Sequence, residues 1–184
     1  MLDTSKAPII LLLGPSGSGK TTLGDWLAED LQILHLEIDR WPDGDGIDLE
    51  GLRTEWDAFV GTGQAARLAA VIRDRVRRVG RQGAVLSFPS ILVLSPALIR
   101  TAEQQGIRPF VLYGTGAECL DAFLERERKT GRRLGQKHWI QYNAYSYIAY
   151  SQEEFARHRL GTFASGERRQ RADLVAEVKK KLAN

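Results

Sequence analysis

The chain has 184 residues, with 26 Lys and Arg against 23 Asp and Glu and a net charge of +3. That length suits one domain with a sizeable core, and charges so nearly balanced argue against a chain built to coat nucleic acid. The single cysteine, Cys119, excludes an internal disulfide and a cysteine-built metal site.

A polar lead-in over residues 1–7 gives way to an apolar run, residues 8–13, that reads as a buried strand. Because that run belongs to the fold it is not read as a signal peptide, and no apolar stretch reaches the roughly 18 residues of a membrane span, so a cytoplasmic protein is expected. Residues 19–30 read as a helix with Leu23, Trp26, Leu27 and Leu31 at helical spacing. Residues 33–38 read as a second strand that ends in Asp39-Arg40, and 41–48 as a loop rich in Gly, Asp and Pro. Helices are expected over 49–60, with Leu52, Trp56, Phe59 and Val60 on one side, and over 64–79, where Leu68, Val71, Ile72, Val76 and Val79 oppose an arginine-rich face. A third strand follows at 84–88, and Pro96 opens a helix that runs to Gln105. The remaining elements are a strand at 109–113, a helix at 117–129 with Cys119 as a small core residue, and a basic loop at 130–136. An aromatic-rich helix at 137–157, a fifth strand at 160–164 and a closing helix at 167–182 complete the chain. Strands alternating with helices predict an α/β fold, a parallel sheet with helices on both faces. No repeat or linker divides the chain, so residues 1–184 read as one domain.

The most informative stretch joins the first strand to the first helix. Residues 14–21, Gly-Pro-Ser-Gly-Ser-Gly-Lys-Thr, fit G-x-x-x-x-G-K-[ST] at every fixed position, in the strand–loop–helix context that the motif requires. Gly14, Gly17 and Gly19 allow the backbone angles and close approach by which successive N–H groups turn inward around an anion. Ser16 and Ser18 fill the loop between them, and the helix start adds unpaired N–H groups and a positive dipole end. Lys20 reaches the β- and γ-phosphates of a nucleoside triphosphate, the Thr21 hydroxyl ligates Mg2+, and Thr22 stands by the α-phosphate.

Ligands of an open α/β sheet gather at the carboxyl ends of its strands, so those ends are the places to seek the second substrate. Asp39 closes the second strand and is placed to orient or deprotonate an attacking hydroxyl, or to serve a magnesium ion. Arg40 could bind an anionic substrate, and Trp41 could wall its pocket, whereas Asp43, Asp45 and Asp48 read as turn formers with a magnesium role left open. The third strand offers Ser87, Pro89 and Ser90, and the fourth Tyr113, Gly114 and Thr115. The basic run 126–133 follows the fourth strand; as an arginine-bearing flap over about 126–136 it would close on the γ-phosphate, with Arg126 and Arg132 preferred over Arg128 and Arg133. Residues 167–169, Glu-Arg-Arg, read equally as a turn near the nucleotide base or as a solvated helix start.

The whole chain, in order and spacing of elements, resembles the small P-loop kinases of the shikimate kinase, gluconate kinase and adenylate kinase group. That resemblance implies a three-layer sandwich around a five-stranded parallel sheet of order 2-3-1-4-5, an arginine-bearing lid, and ATP with Mg2+ as phosphoryl donor. It also implies that Asp39 contacts the acceptor hydroxyl, with Lys20, Thr21 and a lid arginine around the transferring phosphate. The third-strand end, Ser87-Phe88-Pro89-Ser90, departs from the triple glycine of shikimate kinases, and the Gly-His-Phe of the gluconate kinase lid is missing. The expected activity is transfer of the γ-phosphoryl group to a hydroxyl of a small metabolite: a sugar, sugar acid or nucleoside. The competing expectations are a nucleotide hydrolase or switch acting on a protein partner, and a kinase of nucleic-acid ends. The last rests on Arg73, Arg75, Arg77, Arg78 and Arg81, which read as a solvated face.

Overall fold

The computed structural model describes residues 7–38, 50–88, 93–130 and 136–183. Its centre is β1 (Ile9–Leu13), five apolar residues with no polar atom to offer on either side, all of them buried. Such a strand is stable only with a neighbour on both edges and a helix layer on both faces. β1 accordingly runs parallel to β3 (Ala84–Ser87) on one side and to β4 (Ile107–Tyr113) on the other, with Leu12 opposite Ser87 and Leu13 opposite Val111. β2 (Leu34–Glu37) adds to β3, and β5 (Arg159–Gly161) to β4, giving the order β2-β3-β1-β4-β5, all parallel. This is the five-stranded α/β sheet of order 2-3-1-4-5 expected above.

The pleat sends alternate residues to opposite faces. Ile10 and Leu12, with Val85 and Leu112, pack under α1 (Lys20–Leu31) and α7 (Arg171–Ala183) through Leu23, Leu27, Leu174, Val175 and Val178. Ile9, Leu11 and Leu13 face the other way, onto α2 (Glu50–Thr62), α3 (Ala65–Arg78) and α4 (Pro96–Gln104). On that side Leu52, Trp56 and Phe59 of the expected α2 stripe are buried and Val60 is partly so, and Trp56 meets Phe88 with ring centroids 4.3 Å apart and Phe59 edge-on at 5.5 Å. α4 starts where Pro96 predicts, with Ser95 as N-cap accepting from the Leu98 N–H at 3.3 Å. Val79, expected on the apolar stripe of α3, lies past the helix end and is 55% exposed.

The last third of the chain departs from the sequence expectation at three boundaries. After α5 (Gly116–Thr130), α6 (Gln136–Tyr150) ends seven residues short of 157, and a 3-10 helix (Glu153–His158) follows. The stop is made by Arg159, whose guanidinium takes the carbonyls of Tyr150 at 3.1 Å and Gln152 at 2.6 Å, and that of Ser151 between them. Those acceptors are then closed to further helix. The expected strand over 160–164 is two strands: β5 stops at Gly161, and Phe163–Ala164 (β6) pairs antiparallel with Glu167–Arg168 (β7). Ser165 and Gly166 both take positive φ, 53° and 84°, the demand of a two-residue hairpin turn. The closing helix therefore begins at Arg171 and not at residue 167.

Trp56 is the largest fully enclosed side chain. Trp56→Ala should lower unfolding free energy by about 3–5 kcal/mol. Urea denaturation checks this, and a loss under about 1 kcal/mol would mean that the Phe88 side of the core closes over the gap.

Candidate active site: the phosphate loop and its clamps

The loop between β1 and α1 is held by four side chains, those of Lys20, Asn143, Arg168 and Thr162. Lys20 Nζ donates to the carbonyls of Gly14 at 2.8 Å and Pro15 at 3.0 Å. Asn143, buried on α6, donates through Nδ2 to the Ser16 carbonyl at 2.8 Å. Arg168 on β7 donates to the Gly17 carbonyl at 2.8 Å, and Thr162, between β5 and β6, donates through Oγ1 to the Ser18 carbonyl at 2.8 Å. Five successive carbonyls, 14 to 18, thus each accept from a side chain. A carbonyl turned outward leaves its neighbouring N–H groups to turn inward, the arrangement of an anion cradle.

The glycines make this fit possible. Gly14, Gly17 and Gly19 have φ of 133°, 81° and 96°. A Cβ on Gly17 would fall 2.0 Å from the Cys119 carbonyl of α5, and one on Gly14 2.5 Å from the Leu112 carbonyl of β4. Gly19 is the N-cap of α1, and no side chain caps that end by a hydrogen bond among the described residues. Ser18 is fully buried within the loop, and its hydroxyl has no hydrogen-bond partner among the described residues. Ser16 is half-buried, whereas Thr21 and Thr22 are exposed on the first turn of α1. Cys119 lies behind the loop; burial pushes its thiol up to about 11, against the pull of the Lys20 and Arg168 cations, so it adds no negative charge at neutral pH.

Around the loop the other strand ends sort themselves. Thr115 caps α5 in a reciprocal box: its N–H donates to Glu118 at 2.6 Å, and the Glu118 N–H donates to its hydroxyl at 3.1 Å. Tyr113 stacks on Tyr147 at 5.4 Å beneath the Arg159 guanidinium, and Gly114 packs against Phe163. These residues brace the framework. Arg126 sits on α5 with its guanidinium 5.4 Å from the Phe123 ring centroid and bonded through Nε and Nη2 to Glu127 at 3.0 and 2.9 Å. Arg168 lies over the Phe163 ring at 5.0 Å, so the hairpin, and not a helix start, carries residues 167 and 168 to the loop. Asp39, Arg40, Trp41, Asp43, Asp45, Asp48, Pro89, Ser90, Arg132 and Arg133 lie outside the described residues.

Four residues near the loop escaped the sequence reading. Asn143 and Thr162 reach it from 127 and 144 residues away. His35 on β2 bonds to Ser87 Oγ at 2.7 Å and to Asp25 at 2.8 Å. Glu37 closes β2 opposite Ser87, and strand alternation puts it on the same face as His35, toward α1. Its acid two positions before Asp39 was the available signal. Among the described residues no group of three or more His, Cys, Asp and Glu is gathered as a metal cluster, and no helix is long and apolar enough to cross a membrane.

No protein-family model and no curated protein sequence matches the chain. The fold does have solved counterparts. The chain is similar to a gluconokinase from Sinorhizobium meliloti 1021 at 19% identity, with 97% of this chain and 93% of that chain covered and a TM-score of 0.52. It is similar to a shikimate kinase from Acinetobacter baumannii, solved in complex with shikimate, at 19% identity, 97% and 94% coverage and a TM-score of 0.54. A shikimate kinase from Bacteroides thetaiotaomicron matches at 15% identity, 96% and 99% coverage and a TM-score of 0.51. At these identities the likeness is one of fold, and the fold is that of the small P-loop kinases.

Removing a clamp should loosen the cradle without emptying it. Asn143→Ala and Thr162→Ala should each weaken nucleotide binding by about tenfold, the value of one net hydrogen bond to a buried acceptor. Titration calorimetry with ATP or a non-hydrolysable analogue checks this, and unchanged affinity in both variants would show that the glycine geometry alone holds the loop.

Proposed function

We propose that the chain is an ATP-dependent phosphotransferase that moves the γ-phosphoryl group to a hydroxyl of a small metabolite: a sugar, sugar acid or nucleoside. The observation that carries the reading is the clamped loop, in which five successive carbonyls each accept from a side chain. The start of α1, which no side chain caps by a hydrogen bond among the described residues, fits a bound polyphosphate. The resemblance in element order and the counterparts among solved kinases support the same class, with the acceptor left to be identified.

In this reading Lys20 exchanges its two loop carbonyls for β- and γ-phosphate oxygens, so a cation already held over the loop neutralises the charge that develops in transfer. Gly14, Ser16, Gly17, Ser18, Gly19 and Thr22 surround the phosphate chain. The exposed Thr21 hydroxyl and the Asp39 carboxylate are oxygen donors of the kind Mg2+ takes, and they would hold it. Bound there it would supply charge neutralisation across the phosphates. Asp39 orients the acceptor hydroxyl and takes its proton. Arg126, released from Glu127, and Arg132 serve a lid over about 126–136, within a single domain over 1–184, closing over the γ-phosphate and excluding water. The balanced charge and single cysteine suit a cytoplasmic enzyme with a small-molecule partner in place of a nucleic acid.

The test is ATP consumption with magnesium across sugars, sugar acids, nucleosides and short oligonucleotides. Turnover confined to one class of small hydroxyl compound is expected. Equal, slow turnover in every well would favour the second reading, a hydrolase or switch working on a protein partner. Lys20→Ala should abolish turnover in a folded protein. Asp39→Asn should lower kcat by roughly a hundredfold or more while ATP affinity holds. A normal kcat in that variant would make Asp39 a turn residue.

A further inference from the structure

Three side chains from three elements form one hydrogen-bonded chain on the α1 face of the sheet. Asp25 Oδ1, on α1, lies 2.8 Å from His35 Nδ1, on β2, and His35 Nε2 lies 2.7 Å from Ser87 Oγ, on β3. It runs from Ser87, which is buried, through His35 to Asp25 at the solvent edge, whose side chain is 62% exposed. The contact is close by construction: a Cβ on Gly24 would fall 2.3 Å from His35 Nε2, so α1 can seat on the ring only with glycine there. A carboxylate can only accept, which makes Nδ1 the donor; in the neutral ring, the form taken here, Nε2 keeps its lone pair. The Ser87 hydroxyl then donates to Nε2. Each bond therefore has one direction, from β3 through β2 to the phosphate-loop helix.

The order of residues is that of a Ser–His–Asp triad, but the surroundings do not suit a nucleophile. Ser87 is 2% exposed, and the amide after it, Phe88 N–H, is spent on the Leu12 carbonyl at 3.1 Å. No donor at that position is left to hold an oxyanion. What the chain does hold is α1. Lys20 and Thr21 stand four residues before Gly24 and Asp25, one helical turn upstream on the same side. Fixing that second turn to β2 and β3 fixes the first turn, and with it the two side chains that face the phosphates.

We propose that Asp25–His35–Ser87 is a positioning relay, in which His35 locks the phosphate-loop helix to the strand ends and so aligns Lys20 and Thr21 for phosphoryl transfer. The kinetic part rests on the phosphotransferase reading. The loop clamps lie elsewhere, so nucleotide affinity is set without the relay, and its loss is felt in the reacting geometry. A small misplacement there has large consequences for rate.

Two measurements test it. In turnover assays, His35→Phe, which fills the space without the polar bonds, and Ser87→Ala should each lower kcat by about tenfold or more while the Kd for nucleotide changes by less than about threefold. A kcat within about twofold of the parent in a folded variant overturns the relay. Nitrogen-15 NMR of the nucleotide-free protein supplies a readout that does not depend on activity. His35 should show a protonated Nδ1 and a bare Nε2, and Ser87→Ala, altered on β3, should shift the amide resonances of residues 20–22. The opposite tautomer, or unmoved amides, refutes the proposal. Should the parent protein transfer phosphate to no acceptor, the kinase reading fails, and the NMR outcome still decides the relay. Should His35→Phe not fold, Ser87→Ala, which removes one oxygen, carries both measurements.

Discussion

The structure depends on where five carbonyl groups point. A glycine-rich loop has no preferred shape of its own, because glycine pays the largest entropy for being ordered. Here the shape is imposed by donors set around the loop: an ammonium from the helix that the loop begins, an amide from α6, a hydroxyl beyond β5, and a guanidinium from the β6–β7 hairpin. Each bond holds at least one peptide of the loop in place. The two sets of requirements are coupled, because the same glycines that take positive φ also let α5 and β4 approach to where a Cβ would stand. The clamps on the Ser16, Gly17 and Ser18 carbonyls stand without any ligand, which is the preorganisation by which an electrostatic site stabilises charge cheaply.

That arrangement explains the architecture beyond the sheet. α6 carries aromatic residues around much of its circumference, and its buried polar positions are few. Asn143 is one of them, and its amide is spent on the loop. The hairpin after β5 is too short to stabilise itself, with two residues in each strand. It is held by Arg169, which donates to the Gly161 carbonyl and to Glu177 of α7, both at 2.8 Å, while Arg168 reaches the loop. The last quarter of the chain thus serves the first: α7 packs under β1 beside α1, and the segment before it completes the cradle that β1 starts.

How much of this could be read from the sequence follows the same division. The loop itself was legible, since its chemistry is written in eight consecutive residues and its context in the apolar strand before it. The sheet order came from resemblance, and most helices came from apolar spacing, because α2 and α3 each bury one stripe. The clamps were not legible: Asn143, Thr162 and Arg168 meet residues 127, 144 and 151 positions away, a separation that leaves no local pattern. The three misplaced boundaries have a local cause in one case only. The Ser165-Gly166 turn could have been taken from its dipeptide, whereas the end of α6 is dictated by Arg159 folding back onto three carbonyls. Aromatic residues on both sides of that stop hid it.

His35 is the instructive case among the polar residues. In a strand otherwise reading Leu, Leu and Glu, an isolated histidine is most simply a buried group with its needs satisfied, and its two bonds do satisfy it. Satisfaction alone would be met equally by two backbone groups. What distinguishes this histidine is that its partners belong to different layers, a helix and a neighbouring strand, and that the helix surrendered a side chain at Gly24 to receive it. An apolar interface fixes distance between layers well and sliding along them poorly, because dispersion is non-directional. Hydrogen bonds at both ends of a rigid ring restrain the slide. The apolar contacts of Leu23 and Leu27 hold the helix against the sheet and leave that restraint to the ring.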